Sequence, residues 1–141
     1  MKRTASAHWQ GNLKAGSGTV STASGVLSKK PYSFHTRFED GEGTNPEELL
    51  AAAHAGCFSM ALSAQLEEAG LEAEAIDTTC IISLEKGEGG FAITQSRLVL
   101  NARIPGASQD AFDAAARAAK EGCPVSKLYD AEIVLESTLE N

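Results

Sequence analysis

What this sequence lacks narrows what it can do. Basic residues are scarce: 12 Lys and Arg against 19 Asp and Glu leave a net charge of −7. They gather into no stripe, which argues against a nucleic-acid or anionic-membrane surface. No apolar run is long enough to span a bilayer, and the opening MKRTASAHW has no apolar h-region, so a cytoplasmic protein is expected. Cysteine is sparse, with 3 in 141 residues. An odd count in a reducing compartment is no disulfide framework, and any pairing there would be catalytic or redox-sensing. His8, His35 and His54 stand far apart, without H-x-x-H, C-x-x-C or H-E-x-x-H spacing, so no metal site is expected. Gly87, Gly89 and Gly90 suit a hairpin turn, not a phosphate-cradling loop. Repeats, linkers and low-complexity tracts are missing too. With hydrophobic residues at 43%, residues 1–141 read as one domain with a real core.

What is present divides into short strands and two helices. Thr4–Leu13, Thr19–Thr22 and Tyr32–Phe38 read as three N-terminal strands joined by tight turns, the last with Tyr32, Phe34 and Thr36 on one side. Ala75–Glu85 and Phe91–Ile104 read as longer strands joined through Lys86–Gly90. In the second of these, Ile93, Gln95 and Arg97 alternate with Thr94, Ser96, Leu98 and Leu100. Ser108 caps a helix over Gln109–Glu121, Gly122 signals its end, and Ala131–Leu139 is a last strand. The order βββ-α-ββ-α-β, with strands adjacent in sequence rather than in βαβ crossovers, predicts an α+β fold with mainly antiparallel sheet.

The long helix is the segment Thr44–Gly70. Asn45 is a good N-cap, Pro46 suits the first helical position, and Glu47 and Glu48 favour the positive end of the helix dipole. Leu49, Leu50, Ala53, Cys57, Met60, Ala61 and Ala64 form an apolar set at helical spacing. Ala51, Ala52, Ala53, Ala55 and Gly56 would let another backbone approach closely. Cys57 sits among them. A free cysteine on a packed face is ordinarily a small hydrophobe. At about three turns into the helix, Cys57 is also beyond the reach of the N-terminal dipole, so a reactive thiolate would need a cation from elsewhere. Cys123, in Glu121-Gly122-Cys123-Pro124, lies past a helix end near free backbone N–H groups and is expected to be more exposed. It is either a reactive thiol or a loop residue filling space. Cys80, inside a strand, reads as structural. His54 lies three residues before Cys57 on nearly the same face, so a Cys–His pair is conceivable, though no residue to orient it is evident. Arg37, before the loop into the helix, is either a surface arginine or the cation that holds a thiolate, in which case a carboxylate must fix it.

These residues carry a resemblance. PYSFHTRFEDGEGTNPEELLAAAHAGCFSMALS, with AHWQGNLKAGSGTVST before it and IDTTCIISLEKGEGGFAIT and KEGCPVSK after it, resembles the osmotically inducible protein C (OsmC) family. These are thiol peroxidases related to the organic hydroperoxide resistance proteins, and the likeness covers nearly the whole chain. The resemblance implies that Cys57 is the peroxidatic thiolate, becoming a sulfenic acid, and that Cys123 is the resolving thiol that closes a disulfide with it. By the same resemblance, Arg37 polarises the peroxide and holds the thiolate, and Glu47 orients Arg37. It further implies organic hydroperoxide substrates, no metal or flavin cofactor, a dithiol reductant such as dihydrolipoamide or a lipoylated protein, and an intertwined homodimer whose sheets wrap two central helices. Cys80 falls outside the family pattern.

Helix geometry bears on that assignment. Glu47 and Cys57 would stand about 15 Å apart along one straight helix and point about 80° apart, so one guanidinium could not easily reach both. Either the helix breaks between them, or the site is assembled across the dimer, with Arg37 and Glu47 from one subunit and Cys57 and Cys123 from the other. Phe58, Met60, Leu49 and Leu50 would favour a lipophilic peroxide unless they only pack the core. Two other readings remain open here. One is a redox-sensing or ligand-binding stress protein without fast turnover; the other is a cysteine hydrolase built on Cys57 and His54.

Overall fold

Pairing of the first short strands begins with Ala5–Gln10 (β1) and Ser17–Thr22 (β2), which run antiparallel with Ala5 opposite Thr22. Lys30–Tyr32 (β3) adds to the far side of β2. The computed structural model describes residues 1–140, and their contacts fall into two compact units, Met1–Leu49 and Leu50 onward. In the first unit the expected strand Tyr32–Phe38 is not formed. The strand stops at Tyr32 and Phe34–Phe38 is a helical turn, α1. The cause is local: Ser33 and Thr36 make a reciprocal capping box, the Ser33 N–H donating to Thr36 Oγ1 at 2.8 Å and the Thr36 N–H to Ser33 Oγ at 3.3 Å. Phe34 and Phe38, one turn apart, then stack with centroids 4.9 Å apart.

The boundary between the units falls inside the long helix α2, Pro46–Glu68. Asn45 caps it, accepting from the Glu48 N–H at 2.8 Å. At the other end Gly70 takes a left-handed φ of 72° and Leu71 N–H returns to the Leu66 carbonyl, a closure that glycine makes without strain. The buried stripe of α2 differs from the expected one: His54, Phe58, Leu62 and Leu66 face inward. Cys57 and Ala61 lie beside them, half-buried. Ala53 and Ala64 are exposed, and Met60 is 78% exposed. Apolar residues circle the helix, so periodicity alone does not choose a face. For the same reason α2 meets the length and composition of a membrane-crossing helix, with a mean hydropathy of 1.4 over 18 residues, contrary to the expectation of no such run.

In the second unit Ala75–Gly87 (β4) and Gly90–Arg103 (β5) form the expected antiparallel hairpin. The helix Gln109–Gly122 (α3) starts at its Ser108 cap, and Pro124 opens a further turn, Pro124–Leu128 (α4). The chain then returns as Glu132–Glu140 (β6). This strand pairs with β5 in parallel, so β5, the two helices and β6 do form a crossover. The other strand pairings are antiparallel. The fold is α+β with mainly antiparallel sheet. Ser96, Leu98, Leu100 and Ala102 of β5 are buried on one face of the sheet, in a core with Phe58, Leu62 and Leu66 of α2 and Phe112, Ala115, Ala116 and Ala119 of α3.

Candidate active site

The candidate residues fall into two pairs, one in each unit. In the first unit Arg37, on α1, meets Glu47, on the first turn of α2. The guanidinium straddles the carboxylate, with Nε 3.1 and 3.2 Å from its two oxygens and Nη2 2.7 Å from Oε1. The capping box that turns Phe34–Phe38 into a helix is what sets Arg37 there. Beside the guanidinium is an apolar pocket of about 150 Å³, lined by Trp9, Leu13, Tyr32, Phe34 and Phe38. One of the chain's two tyrosines, two of its five phenylalanines and its one tryptophan meet in this pocket. The sequence holds a signal for it, the aromatics Tyr32, Phe34 and Phe38 flanking Arg37, but reading them as a strand hides it. Of the residues expected to favour an apolar substrate, Phe58 is in the core, Met60 faces outward, and Leu49 and Leu50 are half-buried.

In the second unit Cys57, on α2, meets Cys123. Cys123 closes α3, its N–H bonded to the Ala119 carbonyl, and immediately precedes Pro124 of α4. The two sulfurs lie 2.8 Å apart across 66 residues of sequence, both as free thiols. Cys57 is half-buried, whereas Cys123 is fully buried, against the expectation that it would be the more exposed. The α3–α4 corner places Cys123 in the hydrophobic core that also holds Phe112 and Ala119. The backbone N–H groups of Val125 and Ser126 and the Ser126 hydroxyl favour the anion of the Cys123 sulfur.

The two thiols shift in opposite directions. Burial, then the contact with Cys123, pushes Cys57 up. Burial pushes Cys123 up as well, but the hydrogen bonds from Cys57, Ser126 and Val125 outweigh it and leave its pKa below the ordinary value. Negative charge on the reduced pair is therefore better held on Cys123 within this unit. No cation hydrogen-bonds Cys57 among the described residues.

Two other sulfur and imidazole groups are also located. Cys80, on β4, is half-buried, with its sulfur 3.3 Å from Ser96 Oγ. His54 does not pair with Cys57. Its Nδ1 lies 2.6 Å from Ser96 Oγ and its Nε2 2.8 Å from Ser126 Oγ, so both nitrogens are taken. Without a base for its nucleophile, a Cys57–His54 hydrolase has no footing.

Comparison with known proteins shows the family of the chain. Residues 39–138, well over half the chain, match the model of the family described as OsmC-like protein. The chain belongs to the OsmC-like family. This OsmC-like chain is 54% identical to the peroxiredoxin OsmC of Escherichia coli (strain K12) over 96% of its length and 94% of that protein's. It is 32% identical to the organic hydroperoxide resistance protein OhrB of Bacillus subtilis (strain 168), covering 78% of this chain and 79% of that one. The crystal structure of Bacillus subtilis OhrB superposes with a TM-score of 0.72 at 29% identity, covering 97% of the OsmC-like chain and 98% of OhrB.

Proposed function

We propose that this protein is a cysteine-based peroxidase that reduces organic hydroperoxides to alcohols. The observation that carries the reading is the contact of the Cys57 and Cys123 sulfurs at 2.8 Å, in a chain related to peroxiredoxin OsmC and OhrB. The Cys57 thiolate attacks the peroxide, an S–O bond forms as the O–O bond breaks, and the alkoxide leaves as the alcohol after taking a proton. Cys123 then displaces the oxygen of the Cys57 sulfenic acid as water and closes a disulfide. A dithiol, such as dihydrolipoamide or a lipoylated protein, reopens it by exchange, and no metal or flavin takes part. In the reducing cytoplasm, where the protein works, the thiols are kept free.

Arg37 holds the Cys57 thiolate and polarises the peroxide, and Glu47 orients Arg37. Cys57 is pushed up and bonded by no cation, so it needs one delivered. The unbroken run of α2 from Pro46 to Glu68 supports a site shared between subunits over a broken helix. The protein is a homodimer in which Arg37 and Glu47 of one subunit serve Cys57 and Cys123 of the other. The exposed face of α2, with the small residues Ala52, Ala53 and Gly56 and the apolar Met60, supports close subunit contact there. The aromatic pocket beside Arg37 suits the apolar part of an organic hydroperoxide.

The test is consumption of cumene hydroperoxide with a dithiol reductant by the wild type, Cys57→Ser and Cys123→Ser. Loss of turnover in Cys57→Ser is expected. Without the dithiol, Cys123→Ser should consume about one equivalent, leaving a trapped sulfenic acid. Turnover that survives loss of Cys57 removes the mechanism, and a wild type that oxidises once and does not turn over with any dithiol points to a redox sensor instead.

A further inference from the structure

Trp9, Gly18 and Tyr32 stand in one row across the first sheet, with Gly18 of β2 opposite Trp9 of β1 on one side and Tyr32 of β3 on the other. Strands two places apart in a sheet lie about 10 Å from each other. The two rings nevertheless close to 5.4 Å between centroids, tilted by 56°. They do so over Gly18. A Cβ there would come within 2.6 Å of the Tyr32 ring, 2.8 Å of the Trp9 ring and 2.5 Å of the His8 carbonyl oxygen. The Trp9 Nε1–H donates to the Gly11 carbonyl at 3.0 Å, which fixes the indole by its polar edge. Phe34 and Phe38 of α1 line the same pocket, and the Arg37 guanidinium lies 5.4 Å from the centroid of the Phe38 ring.

Rings so arranged can simply be the small core of the first unit. A packed core, however, leaves few voids larger than a water molecule. Here Trp9 and Tyr32 remain half-buried, and a space of about 150 Å³ stays open among the rings, with the 66% exposed Leu13 beside it. That volume decides what fits. An apolar cavity of about 150 Å³ takes a benzene molecule. Aromatic walls also offer a ring offset-stacked or edge-to-face contacts that an alkyl chain cannot make.

We propose that this pocket selects hydroperoxides carrying an aryl group next to the peroxide carbon, and that Trp9 is its specificity-determining residue, positioned by Gly18. This selection rests on the peroxidase reading above, in which Arg37 polarises the peroxide. The ring of the substrate enters the pocket while its O–O group meets the guanidinium at the border.

Cumene hydroperoxide and tert-butyl hydroperoxide probe the pocket directly, because both are tertiary and differ only by a phenyl in place of a methyl group. Burying that ring should favour cumene hydroperoxide in kcat/KM by a factor of about 10 to 100 in the wild type. A third tertiary peroxide, with n-hexyl in place of phenyl, should fall about three- to tenfold below cumene hydroperoxide for want of aromatic contacts. Trp9→Ala should bring the phenyl-to-methyl ratio down to about threefold or less, the loss falling mainly on cumene hydroperoxide. A tryptophan that only supports the sheet would slow all three peroxides alike. Such an equal loss, or a wild type that prefers the hexyl peroxide, overturns the selection. If Trp9→Ala does not fold, Leu13→Ala decides instead, at an exposed position: the ratio should fall about threefold, and an unchanged ratio overturns the selection. Trp9 is the chain's one tryptophan, so its emission reports occupancy without turnover. Cumyl alcohol, the product of cumene hydroperoxide, should shift that emission saturably, and tert-butanol at the same concentration should not. No response to cumyl alcohol overturns the pocket. A saturable shift in a protein that turns over none of the peroxides upholds the pocket and removes the peroxidase reading, so the two fail separately.

Discussion

Replacing Glu47 with glutamine separates what the Arg37–Glu47 pair contributes to folding from what it contributes to catalysis. The carboxylate accepts at both oxygens, 3.1 and 3.2 Å from Nε and 2.7 Å from Nη2. Glutamine leaves one acceptor and turns an N–H₂ donor toward a guanidinium that has only donors. The charge and half of the fork are lost together. Folding should hardly notice. The arginine side chain is 39% exposed and the glutamate 12%, so the pair contributes at most about 1 kcal/mol. The favourable placement of Glu47 at the start of α2 adds about 0.3–1 kcal/mol. Melting should fall by no more than about 6 °C. Catalysis should notice more. A fixed donor to developing charge contributes about 10²–10³ in rate, so Arg37→Ala should lower kcat/KM at least a hundredfold. Glu47→Gln, which loosens the arginine without removing it, should cost about tenfold, or roughly 1.4 kcal/mol. The assay is steady-state reduction of cumene hydroperoxide by both single variants and the double variant. On the proposed role, in which Glu47 works only through Arg37, its loss should cost nothing further once Arg37 is gone. A full tenfold loss added on top of Arg37→Ala, or wild-type activity in Glu47→Gln, refutes the assignment.

Other perturbations test the rest of the structure. Leu62→Ala empties a fully buried site and should cost about 2–5 kcal/mol in chemical denaturation. Met60→Lys, at a position 78% exposed in the single chain, should leave that core intact yet shift sedimentation from dimer to monomer; a dimer indifferent to it would take the α2 face out of the interface. The buried imidazole sets a pH dependence. Its folded pKa lies below the ordinary 6.5, so between the two values the unfolded chain binds the extra proton and stability rises with pH. The melting temperature should therefore decline as pH falls below about 6.5, and the decline should be shallower in His54→Gln.

Parts of this molecule were legible from sequence because their signals are local. Asn45 and Pro46 start α2, Ser108 starts α3, and the glycines of Lys86–Gly90 turn the β4–β5 hairpin where expected. Tyr32–Phe38 misleads because seven residues are too few to distinguish alternation from a helical turn, and a Ser33–Thr36 capping box decides the matter. The inward face of α2 was illegible for the opposite reason, too many apolar residues rather than too few. The choice of His54, Phe58, Leu62 and Leu66 is made by the sheet and α3 that pack on them. The parallel pairing of β6 follows from where α3 and α4 deliver the chain, which no property of Ala131–Leu139 records. In the site, it was the resemblance to the OsmC family that named Cys57, Cys123, Arg37 and Glu47; residue types and spacing left the two thiols and the arginine open. The hydroxyls around His54 come from residues 42 and 72 positions away, and the burial of Cys123 comes from a core drawn from distant parts of the chain.

The 66-residue separation of the paired sulfurs has a consequence for the lifetime of the protein. A bond between them would close a loop long enough to withdraw about 4 kcal/mol of chain entropy from the unfolded ensemble. Each turnover would then pass through one form that unravels readily and one that is cinched against it. When peroxide outruns reductant, the molecules would accumulate in the cinched form, the one slower to open to proteases. Exhaustion of the reductant would thus preserve the catalyst until electrons return.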